Sequence, residues 1–206
     1  MDFSAFAGYN RPMNNLFIEG PIQTGKSTLI RKTLREFFGP SLAGVNGFTS
    51  QRLTDADGNL LGFRLAPAGA ALSVTADPDA CDNVFKAFTA GGSRVDMTVF
   101  ETTGIRYMDE AFAAAKAGQA KIILLDEIGG HELASKAFRQ KLYQLLDSEY
   151  PCVGVVKSPA NTRRMDDSLL ALNEELHRHL TVVTDFAEAF RRIQISDCRS
   201  FQPENE

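Results

Sequence analysis

The sequence predicts an α/β fold, a mostly parallel β-sheet covered by helices on both faces. Three observations carry that expectation. Short apolar strands alternate with amphipathic helical stretches along the chain. Residues 20–27 read Gly-Pro-Ile-Gln-Thr-Gly-Lys-Ser, between an apolar strand and a helical stretch. A further apolar strand, Ile122 to Leu125, ends in two acids, Asp126 and Glu127. In sheets of this kind ligands bind at the carboxyl ends of the strands, where both segments lie.

Leu16 to Glu19 is the first short strand. Lys26 to Phe38 is helical, with Leu29, Ile30, Thr33, Leu34, Phe37 and Phe38 on one face of a 3.6-residue period, and Gly39-Pro40 ends it. Val45 to Leu53 and Leu60 to Leu65 flank Asp55-Ala56-Asp57-Gly58 and read as a β-hairpin. Residues 66–94 are rich in Ala, Gly, Asp and Pro, and only Leu72 to Thr75 and Asn83 to Phe88 show a pattern. An irregular, β-rich insertion is expected there, covering the site or forming a surface excursion.

The helical period returns at Ile105, Met108, Phe112 and Ala115 and closes at Gly118. Lys121 to Asp126 is a buried strand. Leu133, Ala137, Phe138, Leu142, Leu145 and Leu146 mark the core face of one helix, and Cys152 to Val156 is another buried strand. Met165, Leu169, Leu172 and Leu176 form a further helical stripe, and His179 to Val183 a last strand. Asp185 with Glu188 reads as a capping box opening a terminal helix that contains Phe186, Phe190 and Ile193. Residues 1–15 form an N-terminal extension and residues 198–206 a polar tail, so residues 1–206 are expected to be a single domain.

The bulk numbers narrow the function classes. With 44% hydrophobic and 23% charged residues the 206-residue chain has the composition of an ordinary soluble globular domain. A net charge of −4 provides no global basic field, so neither nucleic acid nor an anionic membrane is an expected partner. Met1 to Asn15 has no cationic stretch followed by an apolar run, which excludes a signal peptide reading. The longest aliphatic run, Ile122 to Leu125, is far too short to span a bilayer. Cys81, Cys152 and Cys198 are widely spaced and show no metal or disulfide pattern, and Cys152 reads as a small buried hydrophobe. A cytoplasmic location is expected.

Residues 20–27 match G-x-x-x-x-G-K-[ST] in full. The spacing has a mechanism. Gly20 and Gly25 let the backbone wrap a triphosphate, and the N–H groups of Pro21-Ile22-Gln23-Thr24 and their neighbours, proline excepted, turn inward. Lys26 reaches the β- and γ-phosphates, Ser27 offers a hydroxyl to Mg²⁺, and Thr28 completes the loop at a positive helix N-terminus. An aspartate at a strand end holds Mg²⁺ together with such a loop hydroxyl, which suits Asp126. Glu127 then projects toward the γ-phosphate, where a carboxylate orients or deprotonates the attacking water.

The loop from Gly20 to Thr28 resembles that of the small nucleoside-triphosphatase family that includes cancer-related nucleoside triphosphatase and its bacterial and archaeal relatives. Gly47-Phe48-Thr49-Ser50 with Gly62-Phe63-Arg64, and Asp126-Glu127-Ile128-Gly129 with Glu132-Leu133, are similar to two further signatures of that family. The similarity covers roughly residues 15–195. It implies a RecA-like phosphate-loop (P-loop) NTPase fold and slow, Mg²⁺-dependent hydrolysis of ATP, GTP and other nucleoside triphosphates. It also implies that residues 20–28 bind phosphate, Ser27 and Asp126 hold the metal, and Glu127 and Lys26 act in catalysis. Gly130-His131 stands where the family has Lys-Met, and Ser50-Gln51-Arg52 departs from the family strand.

Other residues are candidates by position. His131 follows the acids closely enough to touch a phosphate or the metal shell, or it is a capping residue. Arg163-Arg164 lie in the loop after Val156, from which an arginine can reach γ-phosphate charge; the alternative is a solvated basic loop. Lys157-Ser158 end a strand and can contact base or ribose. Arg52 and Arg64 flank the hairpin on one face, for cross-strand pairing or for phosphate. No base-reading pattern is present. A small-molecule or nucleotide kinase and a nucleotide-dependent switch remain alternatives to hydrolysis, because all three use the same loop.

Overall fold

In the computed structural model, which describes residues 15–197, β1 (Asn15–Ile18) leads through a loop into α1 (Lys26–Phe38). β2 (Val45–Thr54), β3 (Leu60–Pro67), β4 (Ser73–Thr75), β5 (Val84–Thr89) and β6 (Gly92–Val95) follow. A π-helical turn, Phe100–Gly104, enters α2 (Ile105–Lys116). Then come β7 (Ile122–Ile128), α3 (Lys136–Leu146), β8 (Cys152–Val156), α4 (Pro159–Met165), α5 (Leu170–His177), β9 (Val182–Val183) and α6 (Phe186–Asp197). The expected N-terminal extension (apart from Asn15) and the polar tail with Cys198 lie outside the described residues.

The described strands form a nine-stranded sheet in the order β6-β5-β3-β2-β7-β8-β1-β9, with β4 paired to β2. The half from β2 to β9 is parallel throughout. β3, β5 and β6 continue it as an antiparallel wing. β8 therefore separates β1 from β7.

Strand periodicity sorts side chains to two cores. Phe17, Ile123 and Leu125 face α2 and α3 and pack with Met108, Phe138 and Leu142. Leu16, Ile18, Ile122 and Leu124 face the other side and pack with Ile30, Leu34, Phe186 and Phe190 of α1 and α6. Each such fully buried side chain contributes about 1.5–3 kcal/mol. By the same alternation Asp126 shares the face of Leu124, the side on which α1 begins.

The boundaries of α1 and of β8 are those the periodicity predicts. Leu29 and Phe37, expected on the core face of α1, are 37% and 39% exposed, because the buried stripe runs through Ile30, Thr33 and Leu34. Residues 66–94 are more regular than their composition implies: β4 and β5 pair with β2 and β3, and β5 pairs with β6. Leu133 is not part of the helix that buries Phe138. It sits in a 3-10 turn, His131–Ala134, and α3 starts afresh where Ser135 Oγ accepts the Phe138 N–H at 3.3 Å.

The stripe from Met165 to Leu176 is likewise split into α4, a 3-10 turn and α5. Asp166 is extended and its carboxylate takes the Ser168 N–H at 2.9 Å, which starts a new helical turn. The last strand is shorter than expected, Val182–Val183. Asp185 Oδ1 accepts the Glu188 N–H at 3.0 Å, as the capping box requires. Cys152 is buried, which pushes its thiol pKa up, and Cys81 is free. No helix of the described residues is long and apolar enough to cross a membrane.

Candidate active site

The loop between β1 and α1 is shaped by its glycines. Gly25 has φ +80, a left-handed conformation that turns the chain into α1. α1 has no side-chain cap at its N-terminus and no acid in its first turn, so its leading N–H groups face the loop. Thr24 Oγ1 donates to Pro21 O at 2.9 Å. Lys26 Nζ arches over the loop and donates to Gly20 O at 3.2 Å and Pro21 O at 2.6 Å. Asn161, from α4, anchors the loop from outside by donating to Gly20 O at 3.2 Å.

Asp126 meets this loop across the sheet. Its Oδ1 accepts from Ser27 Oγ at 2.8 Å, and its Oδ2 from Thr49 Oγ1 at 3.1 Å. Burial is the largest influence on the carboxyl and raises its pKa. The Ser27 hydrogen bond opposes that rise, and the charge of Glu127 adds to it. Glu127 forms an ion pair with Lys157, and its backbone N–H donates to Ser50 Oγ at 3.3 Å.

The chain leaving β7 is held by buried polar groups. Gly129 has φ +95, and a Cβ there would meet Asn173 Nδ2 at 2.8 Å. Gly129 O accepts from Thr162 Oγ1 at 2.8 Å and Asn173 Nδ2 at 3.1 Å. The N–H groups of Gly129 and Gly130 both donate to Glu132 Oε1, at 2.5 and 2.7 Å. Burial raises the pKa of the Glu132 carboxyl despite these donors.

Residues 22–28, Asp126, Glu127, His131, Lys157 and Arg164 all line one cleft of about 810 Å³. His131 opens the 3-10 turn there, and burial is the main cause of its lowered pKa. Arg163 and Arg164 are not in a loop but in the last turn of α4. Arg163 turns to Asp167 at 3.6 Å with 65% of its side chain exposed, so only Arg164 reaches the cleft. Lys157, expected near base or ribose, has its ammonium on Glu127, and Ser158 caps α4 by accepting the Asn161 N–H at 3.3 Å. Arg52 and Arg64 do not share a face: the register sets Arg52 opposite Phe63 and Arg64 opposite Gln51.

Several residues in or behind the cleft have no role that sequence reasoning assigns. Thr49 and Ser50 come from β2, whose register sets Thr49 beside Asp126. The two residues stand in the Gly47-Phe48-Thr49-Ser50 stretch, which carried a resemblance but no role. Asn161 and Lys86 had no local signal.

A phosphate loop after one strand, a hydroxyl at the head of the next helix, and a buried strand-end aspartate two strands away define the P-loop NTPase fold. The family model described as NTPase matches residues 15–185. The chain belongs to this NTPase family and is a nucleoside-triphosphate hydrolase. It is 27% identical over 166 residues to nucleoside-triphosphatase THEP1 of Thermotoga sp. (strain RQ2), covering 78% of this chain and 87% of that protein. It is 29% identical over 136 residues to the cancer-related nucleoside-triphosphatase homolog of Bos taurus, covering 64% and 68% respectively. The crystal structure of THEP1 from the hyperthermophile Aquifex aeolicus shares the fold with a TM-score of 0.55 at 24% identity, covering 90% of this chain and 97% of that one.

Proposed function

We propose that the protein is a Mg²⁺-dependent phosphohydrolase that directs water at the γ-phosphate of ATP, GTP and other nucleoside triphosphates. The observation that carries this reading is the 2.8 Å contact between Ser27 Oγ and Asp126 Oδ1, with Glu127 next in the chain. It sets a hydroxyl and a carboxylate together at the end of a phosphate loop. Hard oxygen donors of this kind fit Mg²⁺, which takes one or two protein ligands and completes its shell with phosphate and water. Bound there, Mg²⁺ would neutralise charge on the β- and γ-phosphate oxygens.

The remaining roles belong to the chain. Residues 20–28 cradle the phosphates with backbone N–H groups. Lys26 moves from the loop carbonyls to the β- and γ-oxygens. Glu127 takes the proton of the attacking water as the water oxygen bonds to phosphorus and the β–γ bridging bond breaks, releasing phosphate and a nucleoside diphosphate. The ion pair with Lys157 orients that carboxylate. The free Cys81 and Cys152 suit a reducing compartment, the cytoplasm.

Phosphate release from ATP, GTP, CTP and UTP tests the reading. Wild type is expected to release phosphate with Mg²⁺ and to stop when the metal is chelated. Lys26→Ala is expected to release none from any of the four. Release that is indifferent to Lys26 or to Mg²⁺ would place the activity elsewhere.

A further inference from the structure

The outer half of the cleft carries groups that hydrolysis leaves unused. Arg52 lies opposite Phe63 in the β2–β3 register, so the two share a face of the wing. Phe63 stacks on Phe85 with ring centroids 6.1 Å apart and planes 18° from parallel. Lys86 follows Phe85 in β5, and its ammonium stands 5.3 Å from the Phe88 ring centre. Arg52, Phe63, Phe85 and Lys86 all line the cleft, and all are half-buried.

Among the described residues neither Arg52 nor Lys86 has a carboxylate within ion-pair distance. Burial, and then the nearby Lys157 charge, lowers the Lys86 pKa. Partly desolvated cations without a counter-charge are costly, and a bound anion offsets that cost. Half-buried phenyl faces beside them suit a planar ring.

The strand order decides which end of the nucleotide this surface meets. In the seat proposed above, Lys26 would hold the β- and γ-phosphates and the Ser27–Asp126 pair would hold the metal beside them, so the γ end lies toward Asp126. β7 stands between the loop strand and the wing, in the order β1-β8-β7-β2-β3-β5. The wing therefore lies beyond the γ-phosphate, on the side away from the base. This step rests on the seat proposed above for the triphosphate.

We infer that the outer cleft binds a second small molecule, a planar aromatic ring bearing an anionic group. The ring lies against Phe63 and Phe85, and the anion lies on Arg52 and Lys86. The bound molecule faces the γ-phosphate end of the triphosphate, so both ligands are held at once.

Calorimetry on the full chain tests this, with the protein saturated by Mg²⁺ and a non-hydrolysable triphosphate analogue. The probes are AMP, CMP and benzoate as ring-bearing anions, adenosine as a ring alone, and inorganic phosphate as an anion alone. At least one ring-bearing anion is expected to bind the loaded protein at least about tenfold more tightly than adenosine or phosphate. AMP or CMP against benzoate distinguishes a phosphate from a carboxylate as the anion. Arg52→Ala and Lys86→Ala are each expected to weaken that probe about tenfold and to leave analogue affinity unchanged. Phe63→Leu should weaken ring-bearing probes alone. The inference is overturned if no ring-bearing anion binds the loaded protein, if the probe displaces the analogue, or if its affinity ignores Arg52 and Lys86. Failure of the analogue itself to bind wild type contradicts the seat of the triphosphate, and with it this placement, and is distinct from failure of the probe alone.

Discussion

Glu132 shows how a single side chain fixes the backbone of this site. Its Oε1 takes both the Gly129 and the Gly130 N–H, so one oxygen fixes the turn that follows the Asp126-Glu127 pair. Burial holds its carboxyl above the ordinary value of 4.5. An acid whose pKa is raised on folding binds more protons in the folded state between its two pKa values. Stability then falls as pH rises through that window and levels off above it. Glu132→Gln keeps the accepting oxygen and removes the charge. Its melting temperature is expected to gain on wild type as pH rises from about 4.5 toward neutrality. Parallel melting curves for the two proteins across that range would contradict the assignment.

At this scale the sequence was legible where chemistry is local. The loop residues 20–28 and the Asp126-Glu127 pair stand in recognisable runs. Thr49 and Ser50 stand in a recognisable stretch whose role is set only by strand register, and an isolated Asn161 reaches the site only through a helix start. Lys157 was legible as a strand-end residue. Its partner was not, since Glu127 lies thirty positions away.

Among the elements, β8 bears most directly on site geometry, because it spaces β1, which feeds the loop, from β7, which ends in the acids. Gly154 makes that spacing close. A Cβ there would meet Leu125 O at 2.0 Å and a Phe17 ring carbon at 2.7 Å. Gly154→Ala is expected to cost about 1–3 kcal/mol or more, read from urea unfolding, because the nearer contact is backbone. Unchanged stability would mean that β7 and β8 separate freely. Periodicity marked α1 and β8 to the residue, since each pairs an apolar stripe with a clear stop. It ran α4 and α5 together because Met165, Leu169, Leu172 and Leu176 keep helical spacing across the break. The break lies in the Asp166 carboxylate, a turn signal that an apolar pattern does not register.

The whole molecule joins segments far apart in the chain. The Ser27–Asp126 contact spans 99 positions, and β8, which lies between their strands, comes later than either. Alternation of strands and helices predicted the parallel half. It carried no information on strand order, or on residues 66–94 entering the same sheet, because pairing is decided by long-range register. That register also turns the wing toward the cleft, where Arg52 and Phe63 meet the space beyond the acids.

In the proposed reaction the loop binds a triphosphate and Glu127 directs its hydrolysis. Phosphate release and triphosphate binding, measured with Mg²⁺ on wild type and Glu127→Gln, separate the two steps. Release is predicted to fall about 10²–10⁴-fold in the variant while binding is retained. Release at the wild-type rate from Glu127→Gln would contradict the account.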